Sequence, residues 1–214
     1  MKGREILASW KMAGSQLAGA AIALLFAVPL VRVFINTGSD FGDTAMESMP
    51  LTLAAGAAEL GGTAWPLYAP WIGALGAFVA GSNTVSNLMF SLFQFSTAER
   101  IGIAPETVVA TQAVGGAAGN MITVHNIVAA SAVVGLVGRE GDLIRQTIIP
   151  MTYYVLLTGA VSYVFIYGFG PNAGTVMLAL VLAALVGLVL LMRRVDSRKP
   201  LPRHLRTQGG GGRE

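Results

Sequence analysis

Charge is missing from most of this chain, and the gaps restrict what it can fold into. No Asp, Glu, Lys or Arg occurs in residues 12–31, 60–98, 107–138 or 146–192, stretches of 20, 39, 32 and 47 residues. A hydrocarbon layer about 30 Å thick is crossed by about 20 helical residues. The first stretch, extended to residues 12–35, reads as one span. The last, 146–192, reads as two, divided by Gly168-Phe169-Gly170-Pro171-Asn172. The first apolar run is longer than the roughly 7–15 residues of a signal-peptide core, so it reads as a retained helix. Only 12% of residues are charged and 54% are apolar, whereas soluble domains carry about 25% charge. An ordinary soluble enzyme, a disordered tail and a coiled coil are excluded. The absence of cysteine removes disulfides, thiolate metal sites and cysteine nucleophiles. A net charge of +3 is too small to point to nucleic acid.

The two middle stretches are interrupted by polar and small residues. Between Trp71 and Phe95 the run breaks at Gly81-Ser82-Asn83-Thr84, leaving arms 71–80 and 85–95. Each arm is about 15–16 Å of helix, half a membrane. One helix with a polar middle and a re-entrant hairpin with a buried tip are the two readings. Residues 107–138 break at Gly115-Gly116-Ala117-Ala118-Gly119-Asn120 and read as a single crossing unwound at its centre. Basic residues favour the cytoplasm. They cluster at Lys2, Arg4 and Lys11 and again at Arg193, Arg194, Arg198, Lys199, Arg203, Arg206 and Arg213, so both termini are expected inside. Asp40, Asp43, Glu47 and Glu59 mark an external connection. An even number of crossings then selects the hairpin. The expected protein is all-α and polytopic, with about four crossings, one re-entrant hairpin and one broken helix. Its segments are a cytoplasmic 1–11, a span 12–35, an external connection with an interfacial helix 36–65, the hairpin 66–98, the broken span 105–138, two spans in 146–192 and a basic tail 193–214. Trp10, Trp65, Tyr68 and Trp71 fall where an aromatic belt is expected.

Irregular backbone at membrane depth is tolerated only where protein or a wet cavity covers it, and two nearby breaks point to a transporter's binding site. Ser82, Asn83 or Thr84 can cap the second hairpin arm, aiming its first amides at a carboxylate. Asn87 lies one turn after Asn83 on the same face. Helix packing is the competing reading: Gly73, Ala77 and Gly81 form a small-residue series, and Gly115 with Gly119 is a GxxxG pair. Packing and unwinding both suit these glycines. His125 is the one ionisable side chain deep within the three later uncharged stretches. Imidazole changes charge near neutral pH, so a proton role competes with plain hydrogen bonding. Asn120, Thr123 and Asn126 flank it. Glu59, Glu106 and His204 read as solvated. No enzyme constellation, metal-ligand spacing or phosphate loop is visible.

Two strings are distinctive: Gly76-Ala77-Phe78-Val79-Ala80-Gly81-Ser82-Asn83-Thr84-Val85-Ser86-Asn87 with Phe90-Ser91-Leu92-Phe93-Gln94, and Gln112-Ala113-Val114-Gly115-Gly116-Ala117-Ala118-Gly119-Asn120-Met121-Ile122. With Ala132 to Gly141 they resemble the L-lactate permease family, over most of the chain and more weakly after about Tyr167. The resemblance implies proton-coupled symport of lactate and related 2-hydroxy monocarboxylates such as glycolate. It implies no cofactor beyond the coupling proton. Ser82, Asn83, Thr84, Asn87, Gly119, Asn120 and Asn126 are the expected substrate contacts and His125 the proton-coupling candidate. The Ser-Asn-Thr string is also similar to the hairpin-tip signature of divalent anion–sodium symporters. A complete lactate permease is more than twice as long, and the likeness is to its C-terminal part. The expected partners are therefore the small acid, membrane lipid and the missing N-terminal half of an inverted-repeat transporter. A sodium-coupled organic anion transporter and a non-transporting membrane fragment or assembly subunit are the alternatives.

Overall fold

The computed structural model describes residues 3–38 and 47–196. Asp40 and Asp43 of the acidic connection, Lys2, and the basic tail from residue 197 with its His204 lie outside the described residues. The described residues form eight α-helices and no strand: α1 (Gly3–Ile35), α2 (Met49–Gly61), α3 (Trp65–Ala80), α4 (Asn83–Arg100), α5 (Pro105–Gly119), α6 (Val124–Val134), α7 (Glu140–Tyr167) and α8 (Ala173–Asp196). This is an all-α polytopic membrane protein. Helices α7 and α8 are each long and apolar enough to cross a bilayer, and α5 with α6 forms a bent pair that passes the same test. Helix α1 covers Gly3–Ile35, so residues 3–11 and 12–35, expected as two segments, lie on one helix.

Helices α3, α4, α5 and α7 make the packed centre. The hydrogen-bonded and touching pairs set their directions. Ser86 meets Gly73 and Gln94 meets Trp65, so α4 folds back along α3 as a hairpin. A single helix with a polar middle is thereby excluded. The turn is set by Gly81, whose φ of 75° is left-handed and whose N–H closes on the Ala77 carbonyl. The arms are longer than the sequence suggests: 16 and 18 residues, or about 24 and 27 Å. Polar Ser96 and Thr97 are buried against neighbouring helices, and Pro66 and Pro70 are absorbed into α3, so neither feature ends an arm.

Helix α5 runs parallel to α3. Gly115 lies on Pro70, Gly116 beside Gly73, and Gly119 on Ala74, and a Cβ at Gly115 or Gly119 would overlap the facing backbone. The expected unwinding at 115–120 does not occur. These glycines stay helical because their role is close approach. The chain tightens into a 3-10 turn over Asn120–Ile122 and breaks at Thr123, whose ψ of 124° is extended. Helix α6 leaves bent by 47°. The break therefore falls one turn later than the glycine run.

Helix α7 runs against both parallel helices. Thr111 bonds Ser162, whereas Ala118 and Ile122 cluster with Met151 and Val155. The hairpin tip, beside Thr123 and Ile122, is thus level with Met151. From there α7 continues about 16 Å toward Glu140 and about 24 Å toward Tyr167. Trp65, expected in the aromatic belt, is only 6% exposed and packs edge-on against Phe93. Glu47, expected in the external connection, pairs with Arg100 and joins the entry of α2 to the end of α4.

Gly115→Ala and Gly119→Ala are each expected to cost about 1–3 kcal/mol, because backbone cannot yield to the added methyl. Thermal melting in detergent should show the loss. Gly187→Ala, with nothing within 4 Å on α8, should leave melting unchanged or raise it slightly, a change of less than about 1 kcal/mol.

Candidate functional site

The tip is made by four helix ends meeting. Helix α3 ends at Gly81 and α4 begins one residue later with Ser82 as its N-cap. The Ser82 backbone is extended, and its hydroxyl accepts the Val85 N–H at a long 3.4 Å. That leaves the Asn83 and Thr84 N–H groups without intrahelical acceptors. Helix α5 ends at Asn120 and α6 begins after Thr123. The Thr123 hydroxyl sits 3.2 Å from the Gly119 carbonyl and 3.4 Å from the Ala77 carbonyl, tying the end of α3 to the end of α5. The first-turn amides of α6, from Val124 to Asn126, begin there too. The positive poles of α4 and α6 therefore share one corner with the negative poles of α3 and α5. His125 completes it: its imidazole lies where a Cβ on Gly81 would be.

The expected site residues divide into three groups. His125 against Gly81, Asn83 against Gly116, and Asn126 donating to the Asn120 carbonyl at 3.3 Å are brought to the corner. Asn87 is one turn deeper along α4. Thr84 is exposed, pointing off the packed face, and Gly119 is buried against Ala74, so its side of the helix serves packing. His125 and Asn126 are also exposed, which leaves the corner open on one side. A cavity of about 610 Å³ lies elsewhere, lined by residues that include Leu53, Ala57, Trp65, Tyr68, Phe90 and Phe93, and contains none of the expected site residues.

Behind the corner is a polar chain that the sequence reading passed over. Trp65 Nε1 donates to Gln94 Oε1 at 2.9 Å. Gln94 Nε2 donates to Gln112 Oε1 at 2.9 Å and to the Ala69 carbonyl at 3.3 Å. Gln112 Nε2 donates to Ser86 Oγ at 3.1 Å, and Ser86 donates to the Gly73 carbonyl at 3.0 Å. Gln94, Gln112 and Ser86 are fully buried. Indole N–H is donor-only and a carbonyl acceptor-only, so the two ends fix the orientation of both amides. The available signal was a glutamine in each of two uncharged stretches, on either side of the α4–α5 loop.

A second set of buried polar atoms has the opposite character. The Oδ1 atoms of Asn83, Asn87 and Asn120 are shielded from solvent and accept no hydrogen bond from the described residues.

Comparison with known proteins gives a concordant result. The family model for L-lactate permease matches residues 1–169. A Haemophilus influenzae protein assigned to the L-lactate permeases is 42% identical over 136 residues, 64% of this chain and 24% of that protein. The L-lactate permease of Escherichia coli is 38% identical over 101 residues, 47% of this chain and 18% of its own length. The glycolate permease of Escherichia coli is 35% identical over 108 residues, 50% of this chain and 19% of its own length. This chain thus spans a quarter or less of these relatives. No solved structure matches it.

Gln94→Leu is expected to cost about 1–3 kcal/mol by leaving the Trp65 N–H and Gln112 Oε1 unpaired. Gln112→Leu should cost a similar amount. The double variant should cost less than the sum, because the two amides then leave no orphan on each other. Melting temperatures of the three variants check this, and strict additivity would contradict the chain of bonds.

Proposed function

Because this chain belongs to the L-lactate permease family, we propose that it transports lactate- and glycolate-type 2-hydroxy monocarboxylates in symport with a proton. The observation that carries the reading is the meeting of two helix N-termini, α4 and α6, at the hairpin tip. A carboxylate there receives backbone N–H groups from Asn83 and Thr84 and the Ser82 hydroxyl. The positive poles stabilise it without a buried arginine or lysine. Asn120, Asn126 and His125 flank the same corner, and His125 is the group at hand to carry the coupled proton.

Membrane placement follows from α7. If its 28 residues cross the bilayer, the tip beside Met151 lies inside the membrane, and α3–α4 is a re-entrant hairpin. Basic residues at both ends of the sequence favour cytoplasmic termini. The corner is open where His125, Asn126 and Thr84 are exposed. In this reading its opposing wall comes from the remainder of a permease, consistent with the short share of each relative that this chain covers.

Binding of labelled L-lactate to the chain in lipid nanodiscs tests the site. Ser82→Ala, which removes the hydroxyl, and Asn83→Pro, which removes a backbone N–H at a first helical position that tolerates proline, should each weaken binding roughly tenfold, the scale of one hydrogen bond to a charged group. Unchanged affinity in both variants would remove the tip from the site. His125→Gln should flatten the pH dependence of lactate uptake, and an unaltered profile would take His125 out of the mechanism.

A further inference from the structure

Helix α2 buries Ala54 against α4 but leaves Leu53 and Leu60 in the open, Leu60 at 92% exposure. With Tyr68, Phe90 and Phe93 these two leucines line the cavity of about 610 Å³ that holds none of the expected site residues. A second cavity, of about 460 Å³, shares Thr52 and Leu53 with the first and extends to Glu47 and Thr37. A third, of about 330 Å³, shares Thr37 with the second and ends at Arg32 and Asn36. Shared walls make the three one groove, from the end of α1 along α2 to the middle of α4.

The groove has the depth of one leaflet. Its rim is level with the end of α7, because Ile101 and Ile103, just past Arg100, pack in one cluster with Ile166. The Arg100–Glu47 pair and the bond from the Met49 N–H to the Thr37 hydroxyl, at 2.9 Å, hold the ends of α1, α2 and α4 together there. Its deep end is at Phe90, and from Arg100 to Phe90 α4 descends about 15 Å. Half of a hydrocarbon layer about 30 Å thick is the same length. Polarity is sorted along that length. Arg32, Asn36, Glu47 and Thr52 lie toward the rim, whereas aliphatic and aromatic side chains line the depth.

We propose that this groove seats one phospholipid molecule, its phosphate beside Arg32 and one acyl chain laid along α2 as far as Phe90. The complementarity is that of an amphiphile: a cation at the rim for the anionic head and an apolar trough of leaflet depth for the tail. A guanidinium suits phosphate because it gives two parallel charge-assisted hydrogen bonds. An arginine one turn from the end of a membrane helix extends to the headgroup level. Glu47, the carboxylate lining the groove, is balanced by Arg100 and so does not oppose the phosphate. The tail completes the packing, since an unfilled groove leaves its walls without dispersion contacts. The inference rests on α7 crossing the bilayer and is independent of the carboxylate site at the tip.

The test uses the purified 214-residue chain in dodecyl maltoside. Trp10→Phe and Trp71→Phe leave Trp65, which lines the groove, as the one remaining tryptophan. Phosphatidylethanolamine brominated along its acyl chains is added while still dilute in the detergent. Trp65 emission should fall along a saturating, single-site curve. Gly56→Phe places a ring in the groove, where an added Cβ meets nothing within 4 Å, and should abolish the saturable quenching. Arg32→Gln, on the exposed side of α1, should move the midpoint about tenfold to higher lipid, the scale of one hydrogen bond to a charged group, with the same final quenching. Quenching that rises in proportion to lipid, equal in the parent and both variants, would overturn the seat and leave the groove to another protein segment. A saturating curve that neither variant shifts would overturn it equally.

Discussion

Gly73, Gly115 and Gly119 remove the layer of side chains that normally separates two helices, and the backbones of α3 and α5 meet directly. In a bilayer, where lipid tails are as apolar as the side chains, such packing is the main force holding helices together. The rest of the centre is arranged around this contact. With α3 and α5 parallel and touching, α4 can turn back only along the groove they leave. That places Ser86 over the Gly73 carbonyl and Asn83 over Gly116. Thr123 then lies close enough to bridge the ends of both helices.

The same contact decides where the chain breaks. A helix pressed against another along its backbone has no room to unwind, so α5 stays regular through Gly119 and yields only past the end of α3. The break at Thr123 and the hairpin turn at Gly81 consequently fall at the same level. Two separate interruptions become one corner where the N-termini of α4 and α6 meet the C-termini of α3 and α5, and His125 is seated in it because glycine leaves space for an imidazole.

Satisfied and unsatisfied polar groups mark different roles. Gln94 and Gln112 are held in one orientation by a donor-only indole and an acceptor-only carbonyl, so they lock three helices in register. Asn83, Asn87 and Asn120, a turn or two away, are equally shielded at their oxygens but have no donor.

Much of this architecture was legible in the one-dimensional pattern. Uncharged stretches matched to membrane thickness gave an all-α polytopic protein, because charge in hydrocarbon is too costly to scatter. Gly-Ser-Asn-Thr announced a turn and a helix start, since a left-handed glycine and a hydroxyl cap are local requirements. Tertiary structure alone decided what the second glycine cluster does: packing and unwinding demand the same residue, and only the neighbour distinguishes them. It also decided which polar residues are paired, because Gln94 and Asn87 look alike in sequence and differ only in what lies opposite. Local conformation depends on the residue and its near neighbours, whereas the satisfaction of a buried polar atom depends on a helix many residues away.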